Sequence, residues 1–223
     1  RQTQGLSLMQ DRAAERLDEH ARAMRTLERE GRLDRVVEEL PDDETLTERQ
    51  QQGFGLTRPE LSILLAYTKI RGYEALLQTE LVQGEEYLPD LIAYFPGPLQ
   101  TRCSRRIDQH PLRREIIATN LVNHILNRMG ATFLMRVTAI TGADTVNAAR
   151  AFVAARELYG LRTLWHDIDA LDHQISADHQ HAMLHALCDL QERPTIWMPR
   201  RRPPRHGLRR RLAPPSYPPQ TPP

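Results

Sequence analysis

Residues 111–133, PLRREIIATNLVNHILNRMGATF, constrain the fold more than any other part of the chain. Both ends of this stretch are marked. Pro111 suits a first helical turn, where a missing N–H costs nothing, and Gly130 can take the positive φ just past a helix end. On a wheel of about 100° per residue, Leu112, Ile116, Ile117, Leu121, Val122, Ile125, Leu126 and Met129 fill most of the circumference. A helix apolar on nearly all sides lies buried among other helices. The remaining gap holds Arg113, Asn120, Asn123, His124 and Asn127. Asn weakens a helix by roughly 0.5–0.7 kcal/mol relative to Ala, and a buried amide needs partners. The stripe Asn120, Asn123, His124 and Asn127 therefore reads either as the solvated edge of a bundle or as a polar seam facing another domain or subunit. It is the candidate interface of the chain.

The flanking sequence is helical in the same way. Residues 6–30 carry one apolar stripe, Leu6, Met9, Ala13, Leu17, Ala21, Met24 and Leu27, and predict a single charged amphipathic helix. A short helix is expected over 33–40 and another within the polar stretch 42–55. Thr57-Arg58-Pro59-Glu60 has the form of a capping box and opens a long apolar helix that Gly72 could kink. Further helices are expected around 85–94, 99–107, 132–141, 145–159, 161–171 and 176–191, the fourth capped by Asp144. No hairpin turn and no alternating β run occurs. The expected fold is all-α, an irregular multi-helix bundle or array of roughly eight to ten helices. Three regions are expected: amphipathic helices and a connecting loop over 1–56, a helical core domain over 57–192, and a disordered Arg/Pro-rich tail over 193–223.

Charge is distributed unevenly. Eight of the 30 basic residues fall at or after Arg193 and none of the 29 acidic ones does, so the preceding body carries 22 basic against 29 acidic groups. The body gives no reason to expect specific nucleic-acid binding; only the tail could attract a phosphate backbone. Two origins fit the tail's composition equally, a genuine basic segment and a shift of reading frame in GC-rich DNA. No apolar run approaches the ~18 residues that span a bilayer, and residues 1–16 lack the apolar core of a secretion signal. The first residue is not Met, so the chain is expected to begin inside a longer protein. Cys103 and Cys188 do not make a disulfide framework, which suits a reducing cytoplasm.

Several long runs, in register, resemble the C-terminal region of the large bacterial NAD-specific glutamate dehydrogenases. They are QTQGLSLMQDRAAERLDEHARAMRTLEREGRLDR (2–35), LPDDE (40–44), GLTRPELSILLAYTKI (55–70), LIAYFPGPL (91–99) and ARAFVAARELYGLRTLWHDIDALD (149–172), together with RREIIAT, Asn120, Asn123, Asn127-Arg128, Gly130, Thr132 and Phe133. The likeness covers residues 2–190. It implies a parent enzyme that oxidises glutamate to 2-oxoglutarate and ammonia while reducing NAD. The tail departs from the pattern, in which helix would continue.

That chemistry needs a glycine-rich turn between strand and helix to hold the cofactor's pyrophosphate. Gly53-Phe54-Gly55 supplies only a fragment of it, without a third glycine or a preceding strand, and reads as a flexible lead into the Thr57 cap. The family also relies on active-site lysines. Lys69, the single lysine, stands mid-helix without neighbours that would tune it and reads as a snorkelling side chain. The resemblance therefore implies catalytic and NAD-binding parts upstream, outside this chain, and no catalytic or cofactor-binding residue is carried over. His181 and His185 have the four-residue spacing that can chelate zinc, but no HExxH or cysteine pair accompanies them, so with His173 and His179 they read as a solvated face. Asp167, Asp169 and Asp172 are expected to pair with Arg156 or Arg162, and Arg113 and Arg114, unfavourable in a first helical turn, each to find an acidic partner.

Two functional readings follow. The first is a non-catalytic helical part of the dehydrogenase with a structural, oligomerising or regulatory role, its partners being the upstream catalytic domain and further subunits. The second is a stand-alone helical interaction module, or a weak nucleic-acid binder through the basic tail.

Overall fold

The computed structural model describes residues 2–200, and every regular element among them is helical. The expected helix over 6–30 is two, α1 (Gln2–Asp11) and α2 (Leu17–Arg29), separated by turns at 12–16. The apolar stripe runs unbroken through the bend, so periodicity could not reveal it. A tertiary contact is made at this turn. Gly55 lies against this turn so closely that a Cβ on it would stand 2.3 Å from the Ala13 carbonyl carbon and 2.5 Å from the Ala14 nitrogen. The short helix expected over 33–40 is also replaced, by a single turn. The Asp34 carboxylate accepts from the N–H of Val36 at 2.9 Å and of Val37 at 3.3 Å, and this local bonding competes with helix propagation. Glu39, at φ 53°, ends the turn.

Asp42 caps α3 (Asp43–Gln51) by accepting the Thr45 N–H at 2.8 Å. Glu60 accepts the Thr57 N–H at 2.7 Å, completing the capping box that starts α4 (Arg58–Leu77), and Arg49 of α3 holds the same carboxylate at 2.7 and 3.0 Å. Gly72 does not break α4. A Cβ there would meet Val122 and Leu134 at 3.4–3.5 Å, ordinary contact. The two glycines thus predict opposite outcomes. Gly55→Ala is expected to destabilise by about 2–3 kcal/mol through a clash with backbone, whereas Gly72→Ala is expected to gain up to about 1 kcal/mol of helix propensity. Urea midpoints of the two variants check this; Gly55→Ala unfolding at or above the wild-type midpoint would contradict the packing described.

Two 3-10 turns, Leu81–Gln83 and Glu85–Tyr87, lead into α5 (Leu88–Tyr94), then α6 (Gly97–Arg102) and α7 (Ser104–Asp108). The central α8 (Arg113–Met129) follows, ended by Gly130 at φ 97°. Next come α9 (Phe133–Thr141), α10 (Thr145–Leu158) with Asp144 accepting the Asn147 N–H at 2.7 Å, α11 (Leu161–Ala170) and α12 (Ala177–Arg200). The break expected at Arg193 does not occur there: α12 continues through Pro194 and Pro199. Its extension is held by the core, since Thr195 is fully buried and Ile196 packs against apolar neighbours. The rest of the tail, 201–223, lies outside the described residues.

The core centres on α8, which packs against α4, α5, α1 and α9, while α10 packs along α12. Ile117, Leu121 and Ile125 are fully buried, and Phe133 meets Phe152 edge-on at 6.1 Å between ring centres. This arrangement brings α5, α8, α10 and α11 to one junction.

Candidate functional site

Asp90 and Arg156 are the only Asp, Glu, Lys or Arg side chains among the described residues that count as buried, each about 1% exposed. They meet at that junction. Pro89 opens α5 and sets Asp90 in its first turn, where the helix dipole favours a carboxylate; Arg156 stands in the last turn of α10, where it favours a cation. The Arg156 guanidinium donates to Asp90 Oδ1 at 3.2 Å and Oδ2 at 2.9 Å. Arg162, from α11, donates to the same oxygens at 2.9 and 2.8 Å. Glu157 collects the outer edge, accepting from Nε of Arg156 at 2.9 Å and of Arg162 at 2.7 Å. From α8, Asn120 Nδ2 donates to the Asp90 carbonyl at 3.1 Å, and His124 Nδ1 stands 3.5 Å from Oδ1, close enough for electrostatic attraction but long for a hydrogen bond.

Burial alone would raise the Asp90 pKa. Contact with His124 and both guanidiniums outweighs it and holds the carboxyl well below the usual range. Burial lowers the Arg162 pKa, but bonding and attraction to Asp90 and Glu157 together outweigh it and the pKa moves up. His124 is drawn upward by Asp90, but burial and the charges of Arg128 and Arg156 prevail and its pKa is lowered. A general base needs a free lone pair and a pKa near the working pH. Asp90 already accepts four charge-assisted bonds, so its chemistry is that of a fixed anion tying α5 to α10 and α11, with α8 joined through the Asp90 carbonyl.

The remaining stripe residues, Asn123 and Asn127, line a cavity of about 60 Å³ with Gly5, Trp165 and Asp169, a space of water size rather than ligand size. All four stripe residues are half-buried. The aspartates of α11 do not reach Arg156 or Arg162. Asp167 and Asp172 are exposed beside His166 and His173, and the two arginines turn instead to Asp90 and Glu157. Local spacing favoured the wrong partners because the true one lies more than sixty residues earlier. Arg113 pairs with Asp108 at 3.2 Å, but Arg114 finds no carboxylate; it donates to the carbonyls of Leu77 at 2.6 Å and Thr79 at 3.3 Å, at the C-terminal end of α4.

A second charged cluster joins the start of the chain to α9 and α12. Arg12 meets Asp189 at 2.8 Å, Arg136 is held by Glu19 and Glu192, and His181 and His185 both approach Asp11 Oδ2, at 3.2 and 3.1 Å. Among the described residues no group of three or more His, Cys, Asp and Glu is arranged to hold a metal ion. Cys103 and Cys188 are free; Cys188 is buried, donates to the Arg128 carbonyl at 3.1 Å, and has its pKa pushed up to about 12 by burial. Lys69 is half-buried on α4, which lowers its pKa. The Gly53-Phe54-Gly55 segment does not fit a dinucleotide's pyrophosphate. Gly55 is pressed on the backbone of Ala13 and Ala14, leaving no approach for a pyrophosphate, and no strand occurs among the described residues. No described helix is long and apolar enough to cross a membrane.

Comparison with known proteins gives a consistent result. A family model described as glutamate dehydrogenase, C-terminal, matches residues 53–214. The NAD-specific glutamate dehydrogenase of Pseudomonas aeruginosa is 42% identical over 203 residues, which cover 91% of this chain and 12% of that protein. That of Halomonas elongata is 36% identical over 202 residues, with the same coverages, and that of Mycobacterium tuberculosis 35% over 158 residues, 71% of this chain and 10% of its own. The chain thus spans about a tenth of the length of the curated relatives it matches.

Proposed function

Because the chain belongs to the glutamate dehydrogenase C-terminal family, we propose that it is a non-catalytic supporting region of an NAD-dependent glutamate dehydrogenase. In this reading the longer polypeptide oxidises glutamate with NAD, and this region docks against the catalytic domain and helps assemble subunits in the cytoplasm. The observation that carries the proposal is the Asp90 cluster. The most elaborate polar arrangement in the chain is saturated and closed, built to hold helices in place rather than to receive substrate. Val36 and Val37, consecutive in the turn between α2 and α3 and 88% and 74% exposed, support contact with further protein. The stripe of Asn120, Asn123, His124 and Asn127 serves mainly as an internal polar seam in this account, with its half-exposed edge available to a neighbour.

The purified chain, supplied with glutamate and NAD, is expected to form no NADH, while Asp90→Asn in the full-length enzyme lowers thermal stability and subunit assembly before it alters the Michaelis constant for glutamate. NADH production by the isolated chain would refute the reading. So would an Asp90→Asn enzyme that assembles and melts as wild type but has lost turnover.

A further inference from the structure

An open groove of about 920 Å³ runs between α2 and α9, with Arg71 of α4 at one side. Its floor is apolar, formed by Ala23, Met135, Ala139 and Ile140, the last 44% exposed. Its rim is arginine-rich, and most of those arginines are already balanced: Arg25 by Asp43 at 3.1 Å, Arg71 by Glu30 at 2.9 Å, and Arg136 by Glu19 and Glu192. Arg22 and Arg29 are not. The Arg22 side chain has no partner among the described residues, and the Arg29 guanidinium reaches only the Arg25 carbonyl at 3.3 Å and the Thr26 hydroxyl at 3.1 Å. Both are exposed.

We propose that this groove seats an acidic amphipathic helix from a part of the longer polypeptide outside this chain. Arg22 and Arg29 are seven residues apart on α2, roughly 10 Å along its axis. A helix laid alongside presents carboxylates at i and i+7 with the same spacing, while apolar residues at i+1, i+4, i+5 and i+8, on the adjoining face, descend to the floor. The groove is open along its length, which suits a helix better than a small anion, for which a site encloses most of the ligand. Ample polypeptide exists to supply it, since the relatives extend far beyond the matched region. Only the origin of the helix rests on the proposed dehydrogenase role; the groove's preference is a property of this chain alone.

The test uses a labelled helical peptide with Glu at i and i+7 and Leu at i+1, i+4, i+5 and i+8, a scramble of the same composition, and the 223-residue chain. Fluorescence anisotropy is expected to show saturable binding of the designed peptide only, weakened by salt and at least tenfold weaker with Arg22→Glu/Arg29→Glu. Those positions make no ion pair, so the variant should keep the wild-type circular dichroism and melting curve. Equal binding of the scramble, no saturable binding, or an unchanged affinity in the variant overturns the proposal. Self-association of the chain that the variant abolishes overturns it too, by naming a second copy as the occupant. In the full-length enzyme, a photo-cross-linker at Thr26 is expected to capture an acidic helix of the same polypeptide; capture of this same groove from another subunit would reject that origin. An active isolated chain would defeat the dehydrogenase reading while leaving the peptide result in force.

Discussion

Asp90→Asn is expected to destabilise the chain by about 3–5 kcal/mol, the cost of removing one partner from a buried ion pair. Asparagine keeps the shape and one acceptor oxygen, so the loss isolates charge. The Arg156 guanidinium, about 1% exposed, would keep only Glu157, which is itself well exposed, while Arg162 could turn outward to water. For a chain of this size the loss corresponds to a fall in melting temperature of roughly 10 °C. The pair need not be a net gain over an apolar core. Replacing both partners, as in Asp90→Leu/Arg156→Met, removes the stranded charge together with its counter-ion, and much of the stability should return. A double-mutant cycle from urea midpoints measures the coupling. A single-variant loss below 1 kcal/mol, or additive losses in the double variant, would show that the cluster does not tie the junction together.

The contrast between what the sequence reveals and what it hides follows from the range of the interactions involved. Caps made by Glu60 and Asp144 act within three residues and were visible as local signatures. The all-helical class and the burial of α8 follow from periodicity, which records a single element facing the core. The break between α1 and α2 was hidden because the apolar spacing continues through it, while the segment packed there, at Gly55, comes from elsewhere in the chain. Asp90 was hidden for the same reason: its partners come from α10 and α11, and an aspartate after a proline looks like any first-turn residue. The available hint was Arg156-Glu157 followed by Arg162, a basic pair sharing one acid and still short of negative charge. Helix α12 outran its expected end because composition registers Pro and Arg but not the burial of a single Thr195.

Stability is also expected to fall as the pH drops from about 6.5 to about 4, and His20 is the main cause. His20 is 3% exposed on α2, its Nδ1 has no hydrogen-bond partner, and burial followed by the nearby Arg16 charge lowers its pKa to about 4. In the unfolded chain the ring titrates near 6.5, so between the two values the unfolded state takes up a proton that the folded state refuses. Stability is therefore level above that window, declines through it, and levels again below it. The full span is worth about 3 kcal/mol at 1.36 kcal/mol per unit of pKa. Asp90 cannot produce this slope. Its folded pKa is depressed, so its contribution is intact above the usual carboxylate range and is lost only as the pH falls below it. His124, lowered as well, adds in the same direction as His20. Urea midpoints at pH 7 and 4.5 should thus differ in the wild type, and His20→Leu should flatten the difference whatever it does to stability at pH 7. The change in slope on substitution is the informative quantity, because the other ionisable groups bordering the same pocket, Arg12, Arg16, Arg128, His185 and Cys188, are present in both proteins. A slope unchanged in His20→Leu would mean that the ring is solvated or already paired rather than buried without a partner on α2.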